Sequence, residues 1–356
     1  MLQSEMAEKR NKVNPYMAYE AVNTKIITKK SQILDQKKFE KILDCTAVEQ
    51  VTEFLKSRYN LKSIIDNEKS HVLHRDDLET LLKRYGVSEI ESILHYFSGP
   101  YKDFLQVVLM EFEISDLVMM LRKIAKGDDL TGVGKHFVHS ENYSTLPYDK
   151  LIATNSVFQF IENLKNTPYY IFLKTVIDND VVKREFHTEM KLQILLYKTL
   201  IKKSEKLNPL DKQIAKEIIG IKIDFLNAQW IYRAKKYYNI SPEEVLIYSL
   251  HGGRRLSFSR LKRLCYSKSV DEIQQLSNKY LRYSIFVTNN EIDIEKNIDK
   301  FMFAYVNNRK YQVNIGIALS YIYTLGIVIK NLITVTEGIR YQLPKEQLKQ
   351  YLVHSK

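Results

Sequence analysis

Three residue types recur along the chain at one spacing. Asp224 is followed three positions on by Asn227 and six positions further by Arg233. The same frame returns at Glu113, Asp116 and Arg122, and again at Glu20, Asn23 and Lys29. An acid and an amide three apart share one side of a helix, so both can hydrogen-bond at one spot. The base, nine positions from the acid, falls about half a turn out of phase and cannot complete that cluster within a single helix. Two kinds of chemistry fit: a polar contact used three times around an axis, or buried hydrogen bonds that tie neighbouring helices together. Repetition suits architecture better than catalysis, and the second is expected.

No other residue set converges on a reaction. A GxxxxGK[ST] loop is absent, and TGVGKH at 131–136 lacks both that spacing and a preceding strand. HExxH and CxxC are also absent. His71/His74 and His136/His139 are paired at i, i+3, but neither pair has a third ligand at convincing spacing, so no metal is expected. Trp230, Tyr232, Arg233, Lys235, Lys236, Tyr237 and Tyr238 interleave bases with aromatics, a mix that can stack bases and hold phosphates. On a helix they point in all directions, which fits amphipathic tips covering a core. Neither a catalytic residue nor a cofactor is expected.

The elements that carry these residues read as helices. Only 11 glycines and 7 prolines occur in 356 residues, which favours an all-α fold. A two-helix phrase follows each signature. Val48, Val51 and Leu55 set the stripe, Val157, Phe160 and Leu164 match it without a gap, and Val270, Ile273 and Leu276 continue it in the third copy. Cys45 and Cys265 occupy equivalent places. Ser241-Pro242-Glu243-Glu244 is a helix start, and another helix begins near Lys212. The repeats predict three similar helical-bundle domains, 1–110, 111–218 and 219–356, joined by helix rather than by linkers.

Two cysteines imply no disulfide framework and read as small buried hydrophobes. The first dozen residues lack an apolar run, so no signal peptide is expected. Residues 311–329 carry no charge and approach the length of a membrane span. Gln312, Asn314, Ser320 and Thr324 lie within that stretch, and a helix buried in the protein is expected instead. The net charge of +12 fits nucleic acid, an anionic lipid surface or an acidic partner.

Residues 219–238, the loop HGGRRLS at 251–257 and the tail at 331–352 together resemble the C subunit of V/A-type rotary ATPases, the counterpart of the eukaryotic d subunit. Asp224, Asn227, Arg233, Ala234, Lys235, Gly252, Gly253, Leu256 and Ser257 fit the family pattern, as do Asn331, Leu332, Gly338, Leu343 and Pro344 in the tail. Val328 departs from it, standing where an acid is usual. The resemblance implies three helical domains in a pseudo-threefold funnel. It implies a non-catalytic central-stalk subunit of a proton- or sodium-translocating ATPase, linking the membrane rotor ring to shaft subunits of D and F type. It places the protein peripherally on the cytoplasmic face of the membrane, with no nucleic acid and no small-molecule substrate. Gly252, Gly253, Arg254, Arg255 and Lys135 are then the expected partner-facing residues. The runner-up is a basic helical-repeat protein that binds nucleic acid.

Overall fold

The computed structural model describes residues 15–58, 75–175, 181–309 and 314–353. Helix α1 (Pro15–Gln32) leads through a tight break into α2 (Gln36–Leu43) and α3 (Val48–Arg58). Three more follow as α4 (Arg75–Leu94), α5 (Gly99–Gln106) and α6 (Met110–Lys126). Three short helices come next, α7 (Tyr148–Ile152), α8 (Val157–Glu162) and α9 (Tyr169–Leu173). Two long ones, α10 (Val181–Ser204) and α11 (Pro209–Arg233), form the middle of the chain. The last third holds α12 (Pro242–Tyr248), α13 (Phe258–Cys265), α14 (Val270–Leu281), α15 (Glu291–Asn307), α16 (Gly316–Arg340) and α17 (Lys345–Tyr351). No strand occurs among the described residues, so the fold is all-α. The first fourteen residues and the His71/His74 pair lie outside the described residues.

Local chemistry sets the boundaries. Asn208 accepts a hydrogen bond from Asp211 N (2.9 Å) and Pro209 takes the first helical position, so α11 begins at Pro209, one turn before the expected start at Lys212. Ser241 caps α12 through Glu244 N (3.2 Å), with Pro242 next. Helix α6 stops at Gly127, which takes the left-handed conformation (φ 79°) and closes the last turn. Helix α11 ends differently, in a turn of π-helix at Ala234–Tyr238 that stops at left-handed Asn239.

The repeat is physical as well as textual. In each copy the frame's base reaches a glutamate on the long helix that follows. Lys29 meets Glu89 of α4 (2.6 Å), and Arg122 meets Glu185 of α10 (2.6 Å). Arg233 stands between Glu291 of α15 (3.4 Å) and Glu189 of α10 (3.8 Å), a looser pairing. The short-helix stripe is also kept, since Val51, Leu55, Phe160, Leu164 and Ile273 are wholly buried. In the third copy the stripe continues through Ser277 rather than Leu276. Ser277 is wholly buried, four positions after Ile273, as Leu55 follows Val51, whereas Leu276 is only partly covered. Cys265 is buried and its thiol is pushed up to about 12 by burial, while Cys45 packs half-buried against the core.

Helix α16 closes the molecule. It packs along α4 and α15 and also touches α1, α2, α3, α11 and α17, so the end of the chain lies against its beginning. Its most apolar window is 72% buried. The uncharged stretch is therefore a core helix over its described part, and residues 311–313 lie outside the described residues.

Candidate functional site

The signature residues act as latches that hold their own downstream loops. On α11, Asn227 takes both edges of one peptide: its Oδ1 accepts from Leu250 N (2.8 Å) and its Nδ2 donates to Leu250 O (2.9 Å). Asn331 of α16, three residues after Val328 in a partial fourth copy of the frame that has lost its acid, does the same at Val353, accepting at 3.1 Å and donating at 2.9 Å. Asp116 of α6 has no donor, so it collects N–H groups instead. Val138 N (3.0 Å), His139 N (3.0 Å) and the His139 Nδ1 (2.8 Å) all point to its carboxylate. The His139 ring then stacks on Tyr148 at 3.7 Å. One helical position thus fastens a loop in three places, as amide or as acid. Asn23, the fourth frame member at this position, lies half-buried on α1.

The acid position is more varied. Asp224 holds the Gly-Gly loop, accepting from Arg255 N (2.7 Å) at Oδ2 and from Leu256 N (2.9 Å) at Oδ1. Burial pushes its carboxyl pKa up, against the pull of the Leu256, Arg255 and Arg254 backbone N–H groups. Glu113 instead receives the Tyr169 hydroxyl (2.5 Å) from α9. Val328 sits in the core without a polar task, which is how α16 tolerates loss of the acid. Glu20 lies on α1, and its side chain falls outside the described residues.

Glycine lets the loop lie flat on α11. Gly252 has φ +98°, and Arg254 N donates to Gly220 O (3.3 Å) on the helix. A Cβ on Gly253 would overlap Asp224 Oδ1, and one on Gly220 would stand 3.0 Å from Gly252 O. Motif and loop, about thirty residues apart in sequence, are therefore one object. Gly253→Ala is expected to lower unfolding free energy by about 2–4 kcal/mol, through overpacking and loss of carboxylate hydrogen bonds. Urea unfolding measures it, and an unchanged midpoint would contradict the latch.

The expected partner-facing bases have work inside the chain. Arg254 is exposed but pairs with Glu217 (2.7 Å) and donates to the Tyr305 hydroxyl (3.3 Å). Arg309 also grips Glu217 with two nitrogens (2.6 and 3.1 Å) and lies 4.4 Å from the Tyr305 ring centre. Burial pushes the Glu217 carboxyl up, yet Arg309, Tyr305 and Arg254 together hold it below its ordinary value. The half-buried Arg255 donates to Leu281 O, where the end of α14 is negative. Lys135 is exposed, and its carbonyl accepts from Arg84 (2.9 Å). The basic aromatic run is divided in the same way. Trp230 and Tyr232 are buried, Lys236 donates to Tyr232 Oη (2.7 Å), and Tyr237 is exposed. The two buried rings are not available to stack on bases.

The spacing rules missed two buried carboxylates. Asp211, fully buried, accepts from Tyr19 Oη (2.8 Å), Tyr101 Oη (2.7 Å), Asn208 Nδ2 (2.7 Å) and Ile315 N (2.7 Å). It therefore joins α1, α5, α11 and the start of α16. Burial and this carboxylate push the Tyr101 hydroxyl up to about 12. Glu89 takes Lys29 Nζ (2.6 Å) and Tyr321 Oη (2.5 Å), joining α1, α4 and α16. In sequence Asp211 reads as a helix-start acid and Glu89 as one more charge on an amphipathic helix. Among the described residues no group of three His, Cys, Asp or Glu is placed to hold a metal ion.

Latches, hubs and continuous helical packing spend the polar groups described above on holding backbone and joining helices. The family model described as ATP synthase (C/AC39) subunit matches residues 22–351, and the chain belongs to that family, a non-catalytic part of the ATPase complex. Among curated proteins it is similar to the C subunit of the A-type ATP synthase of Methanosphaera stadtmanae, 22% identical over 95% of this chain and 88% of that protein. The C subunit of the Methanosarcina mazei A-type ATP synthase is 21% identical over 76% of this chain and 73% of its own length. Its counterpart in Archaeoglobus fulgidus is 23% identical over 57% of this chain and 58% of its own.

Proposed function

We propose that this chain is a rotor part of an A-type ATPase, linking the membrane ring to the D- and F-type shaft subunits and passing torque between them. The protein sits peripherally on the cytoplasmic face of the membrane. Its three helical units, 1–110, 111–218 and 219–356, stand around a pseudo-threefold axis as a funnel, with α16 and α17 of the last unit folded back onto the first.

The observation that carries this reading is the closure at Asp211 and Glu89. A part that transmits torque must not unwind at its ends. Here the first and last long helices described, α1 and α16, are tied in by buried hydrogen bonds between residues as far apart as Glu89 and Tyr321. The Gly-Gly loop, held by the latch on α11, and the loop at Gly132–Lys135, whose Lys135 carbonyl accepts from Arg84 of α4, form one rim of the funnel and meet the partners there.

Purification of the tagged protein in mild detergent tests the reading. Ring and shaft subunits are expected with it, and recovery of RNA or of no partner would overturn it. The double variant Arg254→Gln, Lys135→Gln removes two exposed cations at the rim. It should lower the melting temperature only slightly, since Arg309 still holds Glu217 when Arg254 is gone, and retain ring or shaft about tenfold less well, the loss of roughly 1.4 kcal/mol across a polar interface. Undiminished retention would move the interface elsewhere.

A further inference from the structure

An exposed apolar side chain is ordinary when it stands alone. Three stand together where the end of α11 meets α14 and α15: Val287 (68% exposed), Ile292 (58%) and Tyr237 (51%). Their common point is the carbonyl of Asn289, which Val287 and Ile292 flank in sequence. Lys236 Nζ donates to that carbonyl (2.8 Å) and lies 4.9 Å from the centre of the Tyr237 ring, so Tyr237 is held to the same spot. Tyr232, buried beneath, donates to it as well (3.3 Å).

The loop that presents Val287 is pinned from both sides. Asn278 of α14 accepts from Ile285 N (3.0 Å) and Phe286 N (3.1 Å) and donates to Phe286 O (2.9 Å). Asn297 of α15 donates to Ile285 O (3.1 Å). Phe286 is thereby buried against Tyr232 (ring centres 5.0 Å apart), while Val287, the next residue, stands in solvent. The nearby acids are engaged: Asp293 accepts from Thr288 (2.8 Å) and Lys296 (2.8 Å), and Glu291 faces Arg233 (3.4 Å). Lys235 is exposed, and no described carboxylate pairs with it or with Lys236. The charge left open beside the apolar group is therefore positive.

Aliphatic tips ringed by a tyrosine and lysines are the mixture that settles at a bilayer boundary, with phenol and ammonium at the headgroups. We infer that Tyr237, Val287 and Ile292 form a contact for the anionic lipid surface of the membrane, with Lys235 and Lys236 beside its phosphates. A fluid leaflet suits a rotor, because the contact can slide as the part turns, whereas a fixed protein neighbour would hold it. The contact lies roughly 20 Å along α11 from Asp224, away from the Gly-Gly loop. This inference rests on the reading above that the protein is a membrane-peripheral rotor part.

The test floats the full chain with vesicles of phosphatidylglycerol and phosphatidylcholine, and with vesicles of phosphatidylcholine alone. Wild type should bind the anionic vesicles at least about tenfold better, and less well as salt is raised. The double variant Val287→Ser, Ile292→Ser should lose at least about tenfold in binding, and Lys235→Gln about fivefold. Melting temperatures should stay near wild type, because all three side chains are exposed. Phe258→Ser changes an equally exposed apolar residue elsewhere and should bind as wild type does. Wild-type binding by the double variant would overturn the inference. An equal loss in Phe258→Ser would also overturn it, by marking general adsorption of a basic chain. Ring and shaft subunits retained by a chain that binds no vesicle would sink the lipid contact and leave the rotor reading standing. The expected vesicle pattern with neither subunit retained would do the reverse.

Discussion

Replacing Asp211 with Ala should lower unfolding free energy by about 4 kcal/mol or more, among the largest effects of any single change in this chain. The carboxylate is fully buried and accepts from two tyrosine hydroxyls, one amide and one backbone N–H, each from a different segment. Alanine would leave all four donors without their acceptor, and a buried unpaired donor costs about 1–3 kcal/mol. Asp211→Asn is milder, because the hydroxyls of Tyr19 and Tyr101 can turn to accept from an amide, whereas the N–H of Ile315 can only donate. Thermal unfolding measures both, and the order Ala below Asn below wild type is the expected result. Hydrogen exchange adds the location. Amides at the start of α16 should exchange faster in Asp211→Ala than those of α13 and α14, which do not touch this hub. Uniform acceleration would show that Asp211 supports the whole core rather than the closure.

Glu89→Ala should cost about 3–5 kcal/mol, the usual penalty for removing one partner of a buried pair. It strands the Lys29 ammonium, only 10% exposed, and the buried hydroxyl of Tyr321. Burial with Glu89 holds that hydroxyl well above its ordinary pKa, so it remains a donor at any physiological pH. Glu89→Gln keeps an acceptor for the hydroxyl but loses the charge facing Lys29, and should fall between wild type and Ala. The pair Glu89→Ala, Lys29→Met then provides a cycle. If the hub is a unit, the double variant should be less destabilised than the sum of the two singles, because no unpaired ammonium remains. Strict additivity would mean that the 2.6 Å contact contributes nothing to the closure.

How much of this was legible in the sequence depends on whether the interaction was local. The helices followed from apolar periodicity and capping chemistry, and the recurrence of Asp224, Asn227 and Arg233 at Glu113, Asp116 and Arg122 marked the positions that matter. Their task was harder to read. Asn227 and Asp116 were expected to tie neighbouring helices, yet they hold the loop 23 residues downstream. A side chain's partner depends on where the intervening chain turns, and spacing on one helix is silent about that. The glutamates that receive Lys29, Arg122 and Arg233 are themselves a repeat, Glu89, Glu185 and Glu291, and could have been found by searching the long helices for a recurring acid. Asp211 could not. A cap residue and a hub that gathers three distant donors look alike until α1, α5 and α16 are in place.

The rotor role is tested most directly by motion. A fluorescent rod attached to this protein, in complexes fixed to a surface through their catalytic head, should turn in one direction when ATP is supplied and stop when the nucleotide is withdrawn. A rod that stays still on this protein, while one on the ring of the same preparation turns, would contradict its place in the rotor.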